Sequence, residues 1–335
     1  MLAVMDIGGT QCRLARFREE ASGLVLEAVK VRATAELPDT DALLRAWEEA
    51  LDAPLSSARA LVMGVAGPVG PEGVARLSNA ALTVDPRTAP GRFGVRRCAV
   101  VNDFITEAFA CLTPVGARAV RLFGPEAPAP ADADGPEAGP VAVLGAGTGL
   151  GTAWLVPGRD ATGRPCRQAL ASEFGHAPFP FEGREELEFA DFAREALHRR
   201  ALCADEVVTG RGVALLHAFL SGERLPEAEA AARLCADEEG LRWYARLLGR
   251  VCGQWALATL CRGGLFLTGG MVLRNPAVTE HPAFREAFLL APELQVLEHV
   301  PVARFDTPYS GLWGGAALAA REACAYFRGE GEPLC

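Results

Sequence analysis

Asp6-Ile7-Gly8-Gly9-Thr10, with Arg13 three residues on, has the residue types of an anion site. Paired glycines let the backbone approach an anion closely and aim N–H groups at it. The threonine hydroxyl adds a donor, and an acid at a strand end can hold Mg²⁺ through water. The competing reading is an ordinary Gly-Gly hairpin turn. A second glycine run, Gly145-Ala146-Gly147-Thr148-Gly149-Leu150-Gly151, follows the apolar residues 141–144. The dinucleotide fingerprint G-x-G-x-x-G fails there on spacing. Its third position is Leu150 when counted from Gly145 and Thr152 when counted from Gly147, and strand-like residues follow where a helix is needed. A second phosphate turn, facing the first across a cleft, fits better. A P-loop needs a lysine directly after its glycines. Lys30 is the only lysine in the chain and is not so placed, so P-loop chemistry is excluded.

Two further constellations carry side chains suited to a polyhydroxylated acceptor. Asn102-Asp103 follows an apolar strand and precedes a helix-like run from Ile105 to Leu112. Asp before a helix is commonly an N-cap. A carboxylate at the C-terminal end of a strand is also well placed to take a proton from an attacking hydroxyl. Glu173-Phe174-Gly175-His176 resembles half of a di-iron ligand set, but that set needs two copies on helices. One copy beside Gly175 and Pro178 reads instead as a loop offering an acceptor and a donor to neighbouring sugar hydroxyls. The bland alternative is a surface Glu and a packed His.

The elements that must position these residues are legible as apolar runs and helical spacings. Strands are expected at 2–5, 13–17, 27–32, 61–65 and 98–101, with a helix over 39–52 capped by Asp39 and faced by Leu43, Leu44, Trp47 and Leu51. Residues 124–140 are almost entirely Pro, Ala, Gly and acid, which reads as a flexible loop. The strand–glycine-turn–strand unit then recurs from residue 141. Helices are expected at 184–201, 211–222, 226–237 and 239–262, a third strand-to-glycine junction at 265–270, and a closing helix near 314–328. The fold class is α/β, in two domains.

Composition narrows the function classes. A net charge of -9 argues against general affinity for nucleic acid or an anionic membrane. The ten cysteines form no C-x-x-C or zinc-finger spacing, so they read as reduced thiols. No apolar run reaches the ~18–20 residues of a membrane span, and no charged leader region precedes the first strand. The expectation is a soluble, cytoplasmic protein.

In order, the stretches MDIGGTQCR, VNDF, GAGTGLG, SEFGHAPF, CADEVVTGRG, LFLTGGMVLR and DTPYSGLWGGAAL resemble the bacterial glucokinase family within the sugar kinase, Hsp70 and actin superfamily. The resemblance runs over nearly the whole chain. The cysteine-rich zinc motif of the related ROK sugar kinases is not present. The resemblance implies a two-domain actin-like (ribonuclease H-like) ATPase fold with a cleft between a small and a large domain. The small domain is expected over 1–112 plus about 312–335, and the large one over about 113–311. It also implies ATP and Mg²⁺ as cofactor and metal, glucose as acceptor, and a homodimer. By position, Asn102 and Asp103 are expected to bind the sugar, with Asp103 as catalytic base on the 6-hydroxyl. Glu173 and His176 are expected to bind hydroxyls near the anomeric end. A further family carboxylate falls at Asp205, an Asp where Glu is usual, with Glu206 adjacent as the alternative. Gly8, Gly9, Thr10, Thr148 and Gly149 resemble the phosphate turns, Gly269 and Gly270 the adenosine-site glycines, and Asp6 a water-mediated Mg²⁺ contact. Two rival readings are a kinase of another hexose or polyol and a non-enzymatic sugar-responsive regulator.

Overall fold

A computed structural model of the chain describes residues 1–77, 80–126, 139–159, 163, 165–289 and 295–321. The chain divides into two compact units. The first holds Met1–Ala117, Pro157–Ala171 and the segment from Tyr309 on; the second holds Arg118–Val156 and Ser172–Pro308. Of the Pro- and Ala-rich segment at 124–140, residues 127–138 lie outside the described residues.

In the first unit, strands β1 (Leu2–Ile7), β2 (Gln11–Glu20), β3 (Gly23–Ala33) and β4 (Ala60–Val65) form a sheet. The short pair β5 (Ala75–Arg76) and β6 (Thr83–Val84) precedes β7 (Cys98–Asn102). The sheet order is β3-β2-β1-β4-β7. β1 to β3 are antiparallel neighbours, while β1, β4 and β7 run parallel, with Val4 opposite Val62 and Val62 opposite Ala99. Alternate residues of a strand face opposite sides, and both sides of β1 are covered. Ala3, Met5 and Ile7 join a core with Leu43, Leu44 and Trp47 of the helix Thr40–Leu51. Asp39 caps that helix by accepting from Ala42 N–H at 2.8 Å, and the Trp47 indole N–H donates to the Ala15 carbonyl at 3.0 Å. On the other side, the helix Ser310–Ala320 packs so closely that a Cβ on Gly315 would sit 2.5 Å from Val4 Cγ1. That helix begins at Ser310, earlier than the composition suggests, because glycines 311, 314 and 315 lower helix propensity locally while allowing this close approach. Residues beyond 321, where the closing helix is expected to continue, lie outside the described residues.

The second unit repeats the opening arrangement. The six strands of its sheet are β8 (Val120–Phe123), β9 (Val141–Ala146), β10 (Leu150–Arg159), β11 (Pro165–Ser172), β12 (Gly264–Thr268) and β13 (Val302–Arg304), of which the end of β10 from Pro157 and β11 as far as Ala171 are counted with the first unit. Their order is β11-β10-β9-β12-β13-β8. β9 and β10 form an antiparallel hairpin and β12 lies parallel to β9, as β4 lies parallel to β1. The helix Glu238–Thr259 runs through the core, with Trp243, Tyr244, Leu247, Leu248 and Val251 buried. Its Tyr244 hydroxyl donates to the Val208 carbonyl at 2.9 Å and its Trp255 indole to the Val143 carbonyl at 3.1 Å. Arg250 and Glu186, both almost wholly inaccessible, pair inside the unit, and Arg250 also donates to the Pro180 carbonyl at 3.2 Å. A buried charge without such a partner would cost several kcal/mol.

Strand β12 leaves its sheet through Gly269, whose φ is 91°. A Cβ there would come within 2.7 Å of the Ala146 backbone nitrogen. Strain and overlap act together at this position, so Gly269→Ala is expected to destabilise the protein by at least about 3 kcal/mol. The urea unfolding midpoint reads this; an unchanged midpoint would contradict the packing described.

Candidate active site

In the first unit the glycine turn joins β1 to β2. Gly8 N–H donates to the Gln11 carbonyl at 3.0 Å, and Thr34, just past β3, holds the turn twice. Its hydroxyl donates to the Gly8 carbonyl at 2.7 Å and its N–H to the Thr10 carbonyl at 3.0 Å. The N–H groups of Gly9 and Thr10 take no partner among the described residues. Asp6 and Arg13 face each other in register across β1 and β2, with Arg13 Nη1 on Asp6 Oδ2 at 2.6 Å. Asp6 Oδ1 accepts no hydrogen bond from the described residues.

β7 delivers Asn102 and Asp103 at its C-terminal end. The cap of the following helix, Asp103–Ala110, is Asn102: its Oδ1 accepts from Phe104 N–H at 2.9 Å, and its Nδ2 donates to the Gly67 carbonyl at 3.3 Å. Asp103 is therefore the first helical residue and not the cap. Its Oδ1 also receives Phe104 N–H at 3.1 Å. Burial, and then the negative charge of Asp6, push the Asp103 carboxyl up to about 7, against the lowering effect of that N–H. Glu107 lies one helical turn on, on the same face as Asp103. Burial pushes Glu107 up to about 8; a hydrogen bond with Ser310 opposes this, and the charges of Asp6 and Asp103 add to it. Glu107 Oε2 is a buried oxygen with no hydrogen-bond partner, which a protonated acid tolerates better than an anion. Sequence reasoning did not single out Glu107. Its signal is an acid four residues after Asp103 in an otherwise apolar helix.

In the second unit, the turn between β9 and β10 is closed by Gly147 N–H donating to the Gly149 carbonyl at 3.0 Å. Asp205 Oδ1 accepts from Leu150 N–H at 2.6 Å, and Gly210 N–H donates to the Gly147 carbonyl at 3.1 Å. The N–H groups of Thr148 and Gly149 are without partners among the described residues, and both residues are exposed. A Cβ placed on Gly147 would find Gly270 N as its nearest neighbour, at 3.7 Å. The second turn and the strand-to-glycine junction at Gly269 and Gly270 are thus adjacent. Gly175 packs so tightly on the Leu150 backbone that a Cβ there would overlap the Leu150 carbonyl oxygen. This sets the loop of Glu173 and His176 beside the same turn. Both side chains are exposed, at 87% and 69%, with Nε2 and Oε2 3.5 Å apart, so His176 is not a packed core residue. Phe174 anchors the loop on Trp255.

Asp205 and Glu206 point different ways. Glu206 accepts from Cys203 N–H at 3.1 Å and from Arg199 Nε at 3.0 Å, closing a capping box on its own helix, Ala204–Val208. That engagement leaves Asp205 as the carboxylate turned toward the Gly147–Leu150 backbone. Among the described residues no group of three or more His, Cys, Asp or Glu side chains is arranged to hold a metal.

The glucokinase family pattern matches residues 3–322. The glucokinase of Tolumonas auensis is 30% identical over 327 residues, spanning 94% of this chain and 95% of its own length. That of Rhizobium meliloti is 31% identical over 346 residues, spanning 95% and 91%. Among solved structures, the glucokinase of an Antarctic psychrotroph matches with a TM-score of 0.77 at 24% identity, over 94% of this chain and 97% of that one. The glucokinase of Balamuthia mandrillaris, solved in complex with glucose, matches with a TM-score of 0.73 at 20% identity, over 96% and 93%. The ROK hexokinase of Thermus thermophilus follows at 0.63 and 21%, over 94% and 96%. These likenesses in shape establish the fold as the two-domain actin-like α/β fold of the sugar kinases.

Gly147 has room for a methyl group and no strained φ, so the fold itself does not require glycine there. Gly147→Ala is expected to leave stability unchanged or raise it by less than about 1 kcal/mol. It should weaken Mg-ATP binding at least about tenfold, because the methyl group stands where a phosphate would approach the backbone. Thermal unfolding and calorimetric titration read the two effects; unchanged nucleotide affinity would remove this turn from the site.

Proposed function

Since the chain belongs to the glucokinase family, we propose that it transfers the γ-phosphoryl group of ATP to the 6-hydroxyl of glucose, yielding glucose 6-phosphate and ADP. The observation that carries the reading is Asp103. It stands at the end of β7, is relieved of capping by Asn102, and has a carboxyl raised to about 7. A general base works best with a pKa near the operating pH.

In the proposed reaction the glucose O6 attacks the γ-phosphorus, Asp103 takes the O6 proton, and the bond to the ADP oxygen breaks. Asn102, Glu173 and His176 would hold the sugar, the last two as neighbouring acceptor and donor. The free N–H groups of Gly9, Thr10, Thr148 and Gly149 would meet the phosphates, and Gly269 and Gly270 the adenosine side. Such preset donors cost no reorganisation during the reaction. The residues present fit a Mg²⁺ ion carried in by the nucleotide. Mg²⁺ keeps several waters and uses one or two carboxylates plus substrate phosphates, and Asp6 Oδ1 accepts no hydrogen bond from the described residues. When bound, the ion neutralises phosphate charge. Asp6 would hold it through water, and Arg13 fixes the Asp6 carboxylate.

No helix among the described residues is long and apolar enough to cross a membrane. The eight described cysteines are free thiols, which supports a reducing, cytoplasmic setting. A homodimer is the assembly that the family resemblance implies.

The test is Asp103→Asn. Turnover should fall at least about 10²-fold while glucose affinity stays within a modest factor. In the unsubstituted enzyme the base must be ionised, so kcat should decline as pH falls through about 7. The Asn variant should lose that limb. Near-normal turnover in the variant would eliminate Asp103 as base.

A further inference from the structure

The strand-to-glycine run that starts at Leu265 ends on Arg274, the last residue of the short helix Gly270–Arg274. Arg274 is exposed and forms no hydrogen bond or ion pair among the described residues. Helix capping does not account for it. The neighbouring Asn275 does that work, donating Nδ2 to the Met271 carbonyl at 2.9 Å. The Arg274 side chain instead folds back over Gly270. A Cβ on Gly270 would meet three atoms of this guanidinium first, Nη2 at 2.9 Å, Cζ at 3.2 Å and Nη1 at 3.3 Å. An approach within the guanidinium plane would either bring both nitrogens nearer than the carbon or leave one of them far off. The group therefore turns a face to the glycine. Gly270 has no positive φ, so the space without a Cβ serves this contact and not a turn. On its other side, Gly270 N is the nearest neighbour of a Cβ placed on Gly147, at 3.7 Å. One glycine thus touches both the arginine and the turn whose Thr148 and Gly149 N–H groups are without partners among the described residues.

We propose that Arg274 is a nucleotide-binding residue whose guanidinium stacks on the base of the bound nucleotide. The inference rests on the reading that the adjacent Gly147 turn receives nucleotide phosphates. A guanidinium that pairs with phosphate offers its edge, where the N–H donors lie. One laid with a face on a glycine has its opposite face to offer, and that face suits a planar ring. Arginine is fitted to this because its charge is delocalised and weakly hydrated. The division of labour is then simple. Backbone N–H groups of the turn meet the phosphates, and the arginine beyond Gly270 meets the base.

Two variants and two ligands test this. Arg274→Ala removes both the charge and the plane; Arg274→Lys keeps the charge without the plane. Calorimetric titration would measure affinity for ADP and for inorganic tripolyphosphate, each with Mg²⁺, and separately for glucose. Arg274→Ala is expected to bind ADP about tenfold more weakly, with tripolyphosphate and glucose affinities within about threefold of the unsubstituted protein. Arg274→Lys should remain at least about threefold weaker for ADP. Retained glucose affinity also shows that the variants are folded. Unchanged ADP affinity in Arg274→Ala would overturn the inference. An equal loss of tripolyphosphate affinity would also overturn it, by making Arg274 a phosphate ligand. Full recovery of ADP affinity in Arg274→Lys would do the same, by making charge alone the cause. An unsubstituted protein that binds ADP but phosphorylates no glucose would overturn the functional reading alone.

Discussion

Each unit presents a glycine turn whose outward groups are backbone N–H donors and not cationic side chains, and such donors must be held in place by their surroundings. Backbone donors are available only where the hydrogen-bond ladder stops. Among the described residues, both turns leave two consecutive N–H groups unpaired shortly after a buried strand, at Gly9-Thr10 after β1 and at Thr148-Gly149 after β9. Unpaired donors are tolerable because these positions are open to solvent. They can be kept in place only by neighbours, and each unit supplies its own brace. Thr34 does this work in the first unit and the segment 205–210 in the second.

The same contrast sorts the glycines by purpose. Gly269 and Gly315 are glycines for the fold, one by its φ and both by what a methyl group would strike. Gly147 has space around it, so packing does not account for its being glycine. On the acceptor side the constraint is electrostatic. Three acids, Asp6, Asp103 and Glu107, act on one another here, and Arg13 pairs with Asp6 and also lowers Glu107. Burial and the negative charge of Asp6 raise both Asp103, to about 7, and Glu107, to about 8.

Much of this was legible from sequence because it is local. The two strand–turn–strand units, the Asp39 cap and the long helix of the second unit follow from spacing within windows of ten to twenty residues. What was not legible depends on distant partners. Strands β8 and β13, of four and three residues, carry too little pattern to separate them from loop. The closing helix was legible, but its start at Ser310 was masked by glycines whose reason is the close approach to Val4 and Thr106. Asn102 rather than Asp103 is the cap because of backbone direction at that one step. Asp205 and Glu206 are adjacent in sequence and both acidic, and only the helix start at Ala204 turns one toward the Gly147–Leu150 turn and the other back upon Cys203. Glu107 gains its importance from Ser310, two hundred positions away in the chain.

The central claim is that this chain couples nucleotide cleavage to phosphorylation of a sugar hydroxyl. The most direct measurement is phosphorus NMR of the products after incubation with Mg-ATP and glucose. The account predicts ADP and glucose 6-phosphate in equal amounts, with little ADP when glucose is left out. ADP accompanied by inorganic phosphate, at a rate indifferent to glucose, would contradict it.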